Sequence, residues 1–336
     1  MIKRLTYTGL IVAALVTFGT STLTAAPLKI RIQWSVTPAH LTPLIPLAPK
    51  GIYKHWGKSY VVEPTRMRGS GPALQAVAAG EIEFGGMSAQ ALTLGVKRAK
   101  IDLRVIAQVM SGGVKGWASS EFMVRDDGAI NTFKDVKGKI VAVNAFGGTI
   151  DAAIRAMAFR ANLKPGRDFQ VVEVRFPAML PALQSKRIDL TVLVTPFNLI
   201  AMRKGGFKKL FTMGDALGAT ETLSWIGKAS FIKKNRAALV DFLEDNMRFR
   251  QWLNDPKNKD ARAEMISKVT KRPAKNYKSW AFTNLDNYRE PHAMTNVARM
   301  QRNVNDLNKL GVLKPTLDVA KYVDMSLAKE AARRLK

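Results

Sequence analysis

The order of elements constrains this chain most: short β-rich runs alternate with helical patterns along its length. Such alternation predicts an α/β fold. In Leu28–Trp34 the residues Leu28, Ile30, Ile32 and Trp34 alternate with Lys29, Arg31 and Gln33, the period of a strand. Ser59–Arg66, Ile82–Gly86, Leu103–Met110, Glu121–Arg125, Lys139–Asn144, Phe169–Phe176, Ile188–Val194 and Trp225–Phe231 read as further strands. Ile150, Ala153, Ile154, Met157, Ala158 and Ala161 share one helical face. Helices are also predicted over Ala73–Ala79, Arg236–Asn254, Asp260–Val269 and Thr295–Leu310. A short echo runs through this pattern: Pro72-Ala73-Leu74-Gln75 recurs as Pro181-Ala182-Leu183-Gln184. Each copy follows a strand and precedes a short buried one, which suggests two α/β lobes built on one plan.

Composition narrows the chemistry. The 336 residues include no cysteine and three histidines, His40, His55 and His292. Disulfides, thiolate zinc sites and cysteine nucleophiles are therefore excluded, and a metal site is not expected. There is no GxxxxGK[ST] and no GxGxxG, so no nucleotide cofactor is expected either. Lysine and arginine outnumber acids 53 to 26, for a net charge of +27. The basic residues are scattered, without a long block interleaved with aromatics, which argues against nucleic acid and for a surface that attracts small anions.

Residues 1–26 have a basic start at Lys3 and Arg4, an apolar stretch from Leu10 to Phe18, and small residues Thr24 and Ala26 before a cleavage point. This is the pattern of a secretory signal peptide, cleaved near Ala26. Its apolar core falls short of the roughly 20 residues of a spanning helix. The expected location is the periplasm, with retention of the segment as an anchor left open.

The segment GSGPALQAVAAGEIEFGGMSAQAL (residues 69–92) resembles the solute-binding proteins of ABC importers, in particular nitrate/sulfonate/taurine-type receptors, which share a fold with thiamine-pyrimidine proteins. KGKIVAVNAFGGTIDAAIRA, LPALQSKRIDLTVLVTPF, FLEDNMRFRQWLNDPKN and MQRNVNDLNKLGVLKPTLDVAKYVD are similar to the same family, in the same order. The resemblance implies a type II periplasmic-binding-protein fold, each lobe a mostly parallel sheet flanked by helices, with ligand in the cleft. Lobe one would comprise 27–119 plus 222–336 and lobe two 120–221, with crossings near Ser119–Phe122 and Leu223–Trp225. It implies a monomeric, non-enzymatic receptor that binds a small, anionic ligand and delivers it to an inner-membrane ABC permease. The opening SVTPAHLTPLIPLAPKGIYKHWG departs from the family in carrying four prolines.

Ligands of open α/β sheets sit beyond the carboxyl ends of the strands. Here those ends are Trp34–His40, Arg68–Pro72, Met87–Ala89, Asn144–Thr149, Phe176–Met179 and Thr195–Phe197. The expected ligand-binding residues are Trp34, His40, Arg68, Gly69, Ser70, Ser88, Gly148, Thr149, Phe176 and Thr195. Several stand at helix starts, where free N–H groups attract anions. The ligand reading is a sulfonate, nitrate or carboxylate. The alternatives are a neutral heterocycle such as a pyrimidine, an exported hydrolase, or a sensor that binds without import. No Ser/His/Asp trio shares one set of loops, and no catalytic residue is assigned.

Overall fold

The computed structural model describes residues 26–335, so the expected signal segment lies outside it except for Ala26. Among the described residues no helix is long and apolar enough to cross a membrane. The first elements are β1 (Leu28–Trp34), β2 (Tyr60–Arg66), α1 (Ser70–Ala79), β3 (Phe84–Met87), α2 (Ala89–Lys97) and β4 (Leu103–Gly112). Next come β5 (Glu121–Arg125), β6 (Ile140–Val143), α3 (Thr149–Arg160), β7 (Gln170–Glu173), α4 (Phe176–Gln184) and β8 (Leu190–Leu193). Then follow α5 (Phe197–Lys204), β9 (Phe207–Thr212), α6 (Met213–Leu217), β10 (Thr220–Lys228) and α7 (Ala229–Lys234). The last are α8 (Arg236–Asn254), α9 (Lys259–Thr270), α10 (Val297–Lys309) and α11 (Ser326–Arg333).

The strands form two five-stranded sheets of the same design, β2-β1-β3-β10-β4 and β7-β6-β8-β5-β9. In each, four strands run parallel and the fifth, the strand that has just arrived from the other sheet, is inserted antiparallel between two of them. The result is a two-domain α/β architecture. The repeated tetrapeptide falls on equivalent helices: α1 links β2 to β3, and α4 links β7 to β8. It opens α1 but closes α4, so the elements correspond while the four residues are displaced along them.

Several element ends differ from the sequence expectation. α1 begins at Ser70, so Gly71 and Pro72 belong to its first turn; a proline there gives up no intrahelical hydrogen bond. Likewise Phe176 is not the end of a strand but the first residue of α4, followed by Pro177. The strand expected over Trp225–Phe231 occupies Thr220–Lys228 instead, with Phe231 in α7. An apolar run of that length does not distinguish strand from helix by its period. β9 was not expected, because its Lys208 and Lys209 mask an edge strand; lysines guard such an edge against foreign pairing.

Apolar faces hold each sheet between helices. Ile30, Ile32 and Ile106 pack with Leu239, Phe242 and Leu327 on one side of the first sheet. On its other side Val105 and Ile226 pack with Val77, Leu92 and Val304. The second sheet buries Phe122, Val141 and Val192 against Ile154, Met179 and Ala201. The chain leaves the first sheet after Gly112 and re-enters it at Thr220, ahead of Leu223–Trp225, which lie inside β10. The two passages run side by side. Gly113 has φ +66°, and a Cβ there would come within 2.6 Å of the Gly218 carbonyl oxygen, so only glycine fits.

One buried carboxylate shapes the edge of the first sheet. Asp245 of α8 is 0% exposed. It accepts the backbone N–H groups of Lys54 (2.8 Å), His55 (3.0 Å) and Trp56 (3.1 Å) and the Tyr60 hydroxyl (2.9 Å). Its removal strands four donors at once. Asp245→Ala is expected to cost about 3–5 kcal/mol in urea unfolding, and a loss under about 1 kcal/mol would show that water replaces it.

Candidate functional site

The carboxyl edges of the two sheets face each other across a chamber of about 570 Å³, mouth included. Ser35, Val36, His40, Gly69, Ser70 and Met110 line it from the first domain. Ser120, Asn144, Gly148, Thr149, Ile150, Phe176, Val194 and Met213 line it from the second, and Thr222, Leu223 and Asn287 complete the wall. No Asp, Glu, Lys or Arg contributes to this lining.

Three helices begin at the chamber. Ser70, Thr149 and Phe176 are the first residues of α1, α3 and α4, and all three touch it. None of these helix starts is capped by a side chain, and two are preceded by glycine, Gly69 and Gly148. The Ser70 and Gly71 N–H groups of α1, the Thr149 and Ile150 N–H groups of α3 and the Phe176 N–H of α4 have no intrahelical acceptor, whereas Pro72 and Pro177 carry no N–H and the Ala178 N–H donates to the Arg175 carbonyl at 2.8 Å. Each positive helix end favours an anion by roughly 0.3–1 kcal/mol, up to about 2 when partly buried. A fourth nearby helix behaves differently: Ser88 caps α2 by accepting from the Ala91 N–H at 3.3 Å.

Of the ten residues expected from sequence, the structure gathers His40, Gly69, Ser70, Gly148, Thr149 and Phe176 around the chamber. Trp34 stands outside, with the Arg66 guanidinium 5.2 Å over its ring. Arg68 lies at an adjoining cavity and pairs with Glu173 at 3.3 Å. The Ser88 hydroxyl serves the α2 cap, and Thr195 is not part of the lining. Ser35 and Asn144 sit in loops that sequence reasoning nominated, but neither was singled out. Asn287 comes from a stretch without periodicity, and nothing in the sequence marks it.

The domains touch around the chamber. The Asn144 amide donates to the Arg68 carbonyl at 2.7 Å, and the Thr149 hydroxyl to the Thr222 carbonyl at 3.0 Å. A Cβ on Gly71 would lie 2.5 Å from the Phe146 carbonyl oxygen in the opposite domain.

With this geometry in place, comparison with known proteins is decisive. A family model, the NMT1-like family, matches residues 29–267. The chain belongs to the NMT1-like family. No curated protein matches it in sequence. Solved structures match in fold. One is the periplasmic aliphatic sulphonate binding protein SsuA from Escherichia coli, at 17% identity and TM-score 0.63, covering 89% of this chain and 93% of that one. The periplasmic nitrate-binding protein NrtA from Synechocystis PCC 6803 matches at 19% identity and TM-score 0.68, covering 93% and 89%. The desulfurization enzyme DSZB matches at 12% identity and TM-score 0.59, covering 92% and 100%. The architecture is thus the periplasmic-binding-protein fold, and it carries both binding proteins and an enzyme.

In this NMT1-like chain the one histidine of the chamber is neutral. His40 is 4% exposed, and neither ring nitrogen has a hydrogen-bond partner. Burial lowers its pKa to about 4, opposed by the Val36 backbone and reinforced by the Arg289 charge. Arg289 also fixes the loop that carries it. Paired with Asp286 at 3.0 Å, Arg289 donates to the carbonyls of Pro38 (2.9 Å) and Ala39 (3.3 Å). Gln33 holds the neighbouring Ser35 hydroxyl at 2.8 Å. Close to the passages between domains, Glu221 accepts from Ser111 and Arg299, each at 3.0 Å, while burial pushes its pKa up to about 7.

The shift of His40 has a sign. Unfolded, the imidazole takes up a proton near pH 6.5; folded, it does so only near pH 4. Stability attributable to His40 is therefore complete above pH 6.5 and is lost as pH falls towards 4, by up to roughly 3 kcal/mol. The stability difference between the wild type and His40→Gln, followed by urea unfolding, is expected to shift in favour of the wild type as pH rises from 4 to 6.5. A difference that stays constant over this range would mean that the buried ring is protonated.

Proposed function

We propose that this protein is the solute receptor of an ABC importer. It takes a small oxyanion-bearing ligand, a sulfonate, nitrate or carboxylate, into the chamber between its domains. The observation that carries this reading is the convergence of three uncapped helix starts on a chamber whose lining has no carboxylate. A micromolar complex needs about 8 kcal/mol, more than the helix ends alone supply. Hydrogen bonds from Ser35, His40 and Asn144, at about 0.5–1.5 kcal/mol each, and the apolar wall of Val36, Met110, Ile150 and Phe176 make up the remainder.

The same chamber argues for binding over turnover. His40 is the one base in its lining, and no serine or threonine hydroxyl hydrogen-bonds its ring. A nucleophile needs a base within hydrogen-bond reach. In our reading the domains 27–119 plus 222–336 and 120–221 close about the passages near Gly113 and Gly218, because the ligand touches both walls and so favours the closed state. The receptor acts as a monomer in the periplasm, after cleavage near Ala26, and hands its cargo to an inner-membrane permease. The SsuA and NrtA likenesses support this assignment.

A thermal-shift and calorimetry screen of the exported chain tests it. The panel comprises sulfonates, nitrate, carboxylates and neutral pyrimidines. At about 100 times its dissociation constant an oxyanion should stabilise the protein by about 2.7 kcal/mol and emerge chemically unchanged. Stabilisation by the neutral compounds alone, or conversion of a bound compound, would contradict the proposal.

A further inference from the structure

Beside the chamber lies a second cavity of about 670 Å³, mouth included, lined by Ser35, Arg66, Met67, Arg68, Arg175, Phe176 and Pro177. Ser35 and Phe176 belong to both linings, so the two spaces adjoin. Their electrostatics differ sharply. The chamber lining has no charged side chain, whereas the second cavity has three guanidinium groups and no carboxylate of its own. Arg66 and Arg68 come from the end of β2 and the turn after it; Arg175 comes from the opposite domain, at the residue that precedes α4.

Only one of these charges is answered. Glu173 pairs with Arg68 at 3.3 Å across the domain boundary. Among the described residues, Arg66 and Arg175 have no carboxylate within ion-pair distance. Arg66 lies over the Trp34 ring, 5.2 Å from its centroid, which occupies the apolar side of the guanidinium and leaves its N–H groups available. In this conformation Arg66 and Arg68 from one domain and Arg175 from the other line one cavity, and like charges so placed repel one another. An anionic group seated among them reverses the sign of that contribution.

We propose that the ligand carries two acidic groups. One is held at the helix starts of the chamber, and the second sits in the arginine cavity, where Arg66 and Arg175 bind it from opposite domains. The ligand class is then a short dianion, such as a sulfocarboxylate or a dicarboxylate. The inference rests on the proposal that the chamber is an oxyanion site, and it adds the second charge. Guanidinium–carboxylate pairs are bidentate and strong, so the second group contributes to affinity and also couples ligand charge to closure.

Calorimetry with matched pairs tests the proposal: propane-1-sulfonate against 3-sulfopropanoate, and butanoate against butanedioate. The proteins are the wild type and the double variant Arg66→Gln/Arg175→Gln. Both residues are exposed, and an unchanged melting temperature will show that the variant is folded. In the wild type at low ionic strength, the dianion of at least one pair should bind about tenfold or more tighter than its monoanion. That ratio should fall to near one in the double variant, and added salt should erode it in the wild type. Equal affinities within each pair, or a ratio that survives in the double variant, would overturn the second charge and leave the oxyanion chamber standing. Failure of both pairs together with every oxyanion of the screening panel to bind would overturn the chamber reading and this inference together.

Discussion

Two sheets whose parallel strands end on one shared gap must also begin their helices there, and that constraint governs the site. After β2, β6 and β7 the chain turns and starts a helix at that edge, so the positive end of each of these helices faces the gap. In this protein α1 comes from one domain, and α3 and α4 from the other. Glycines at positions 69 and 148 and the absence of side-chain caps leave the first N–H groups of α1 and α3 open, and α4 adds the Phe176 N–H. No ionised side chain lines the chamber, and the one acid in the first turns of these helices, Asp151 of α3, is paired with Arg155 at 2.9 Å. Ionised arginines stand one layer further out, at Arg66, Arg68 and Arg175. Under the proposed function, this arrangement is what an anion would meet: long-range attraction first and oriented dipoles at the chamber.

The buried polar groups around the chamber serve rigidity. Arg289 clamps the carbonyls of Pro38 and Ala39, Gln33 orients Ser35, and the buried Arg250 donates to the carbonyls of Gln108 and Glu290. The loop itself adds to this: the His40 N–H donates to the Val36 carbonyl at 2.9 Å, and a 3-10 helix with two prolines follows at Thr42–Leu47. Burial keeps the imidazole neutral, and neither ring nitrogen makes a protein hydrogen bond of good geometry. A buried polar group in that condition is costly unless something else completes it, and the chamber is where a ligand can do so.

Much of the architecture was legible in the sequence because period and punctuation agree. The β5 and α8 boundaries were readable to the residue, since charged or turn residues flank both. The echo at residues 72–75 and 181–184 correctly pointed to one plan used twice. The candidate site was legible through the rule that ligands meet strand ends, which led to His40, Ser70, Thr149 and Phe176. Where an expected residue stands apart from the chamber, a local rule competes with a tertiary one. Ser88 stands at a strand end, but its hydroxyl is consumed by the cap of α2. Arg68 stands in the right turn, but it pairs with Glu173, 105 residues away in sequence. Asn287 reaches the chamber through packing of the C-terminal region, which no nearby pattern encodes.

The central claim is that an oxyanion brings the two domains together. The chain has no native cysteine, so Glu81→Cys and Arg187→Cys, in the exposed turns before β3 and β8, provide a unique pair of dye sites. Single-molecule energy transfer between them measures domain separation directly. The account predicts a shift of the whole population to one closed separation as a binding oxyanion saturates the protein. It also predicts that Gly71→Ala, whose new methyl group meets the Phe146 carbonyl across the gap, resists that shift. A separation that stays the same while the anion demonstrably binds would contradict it.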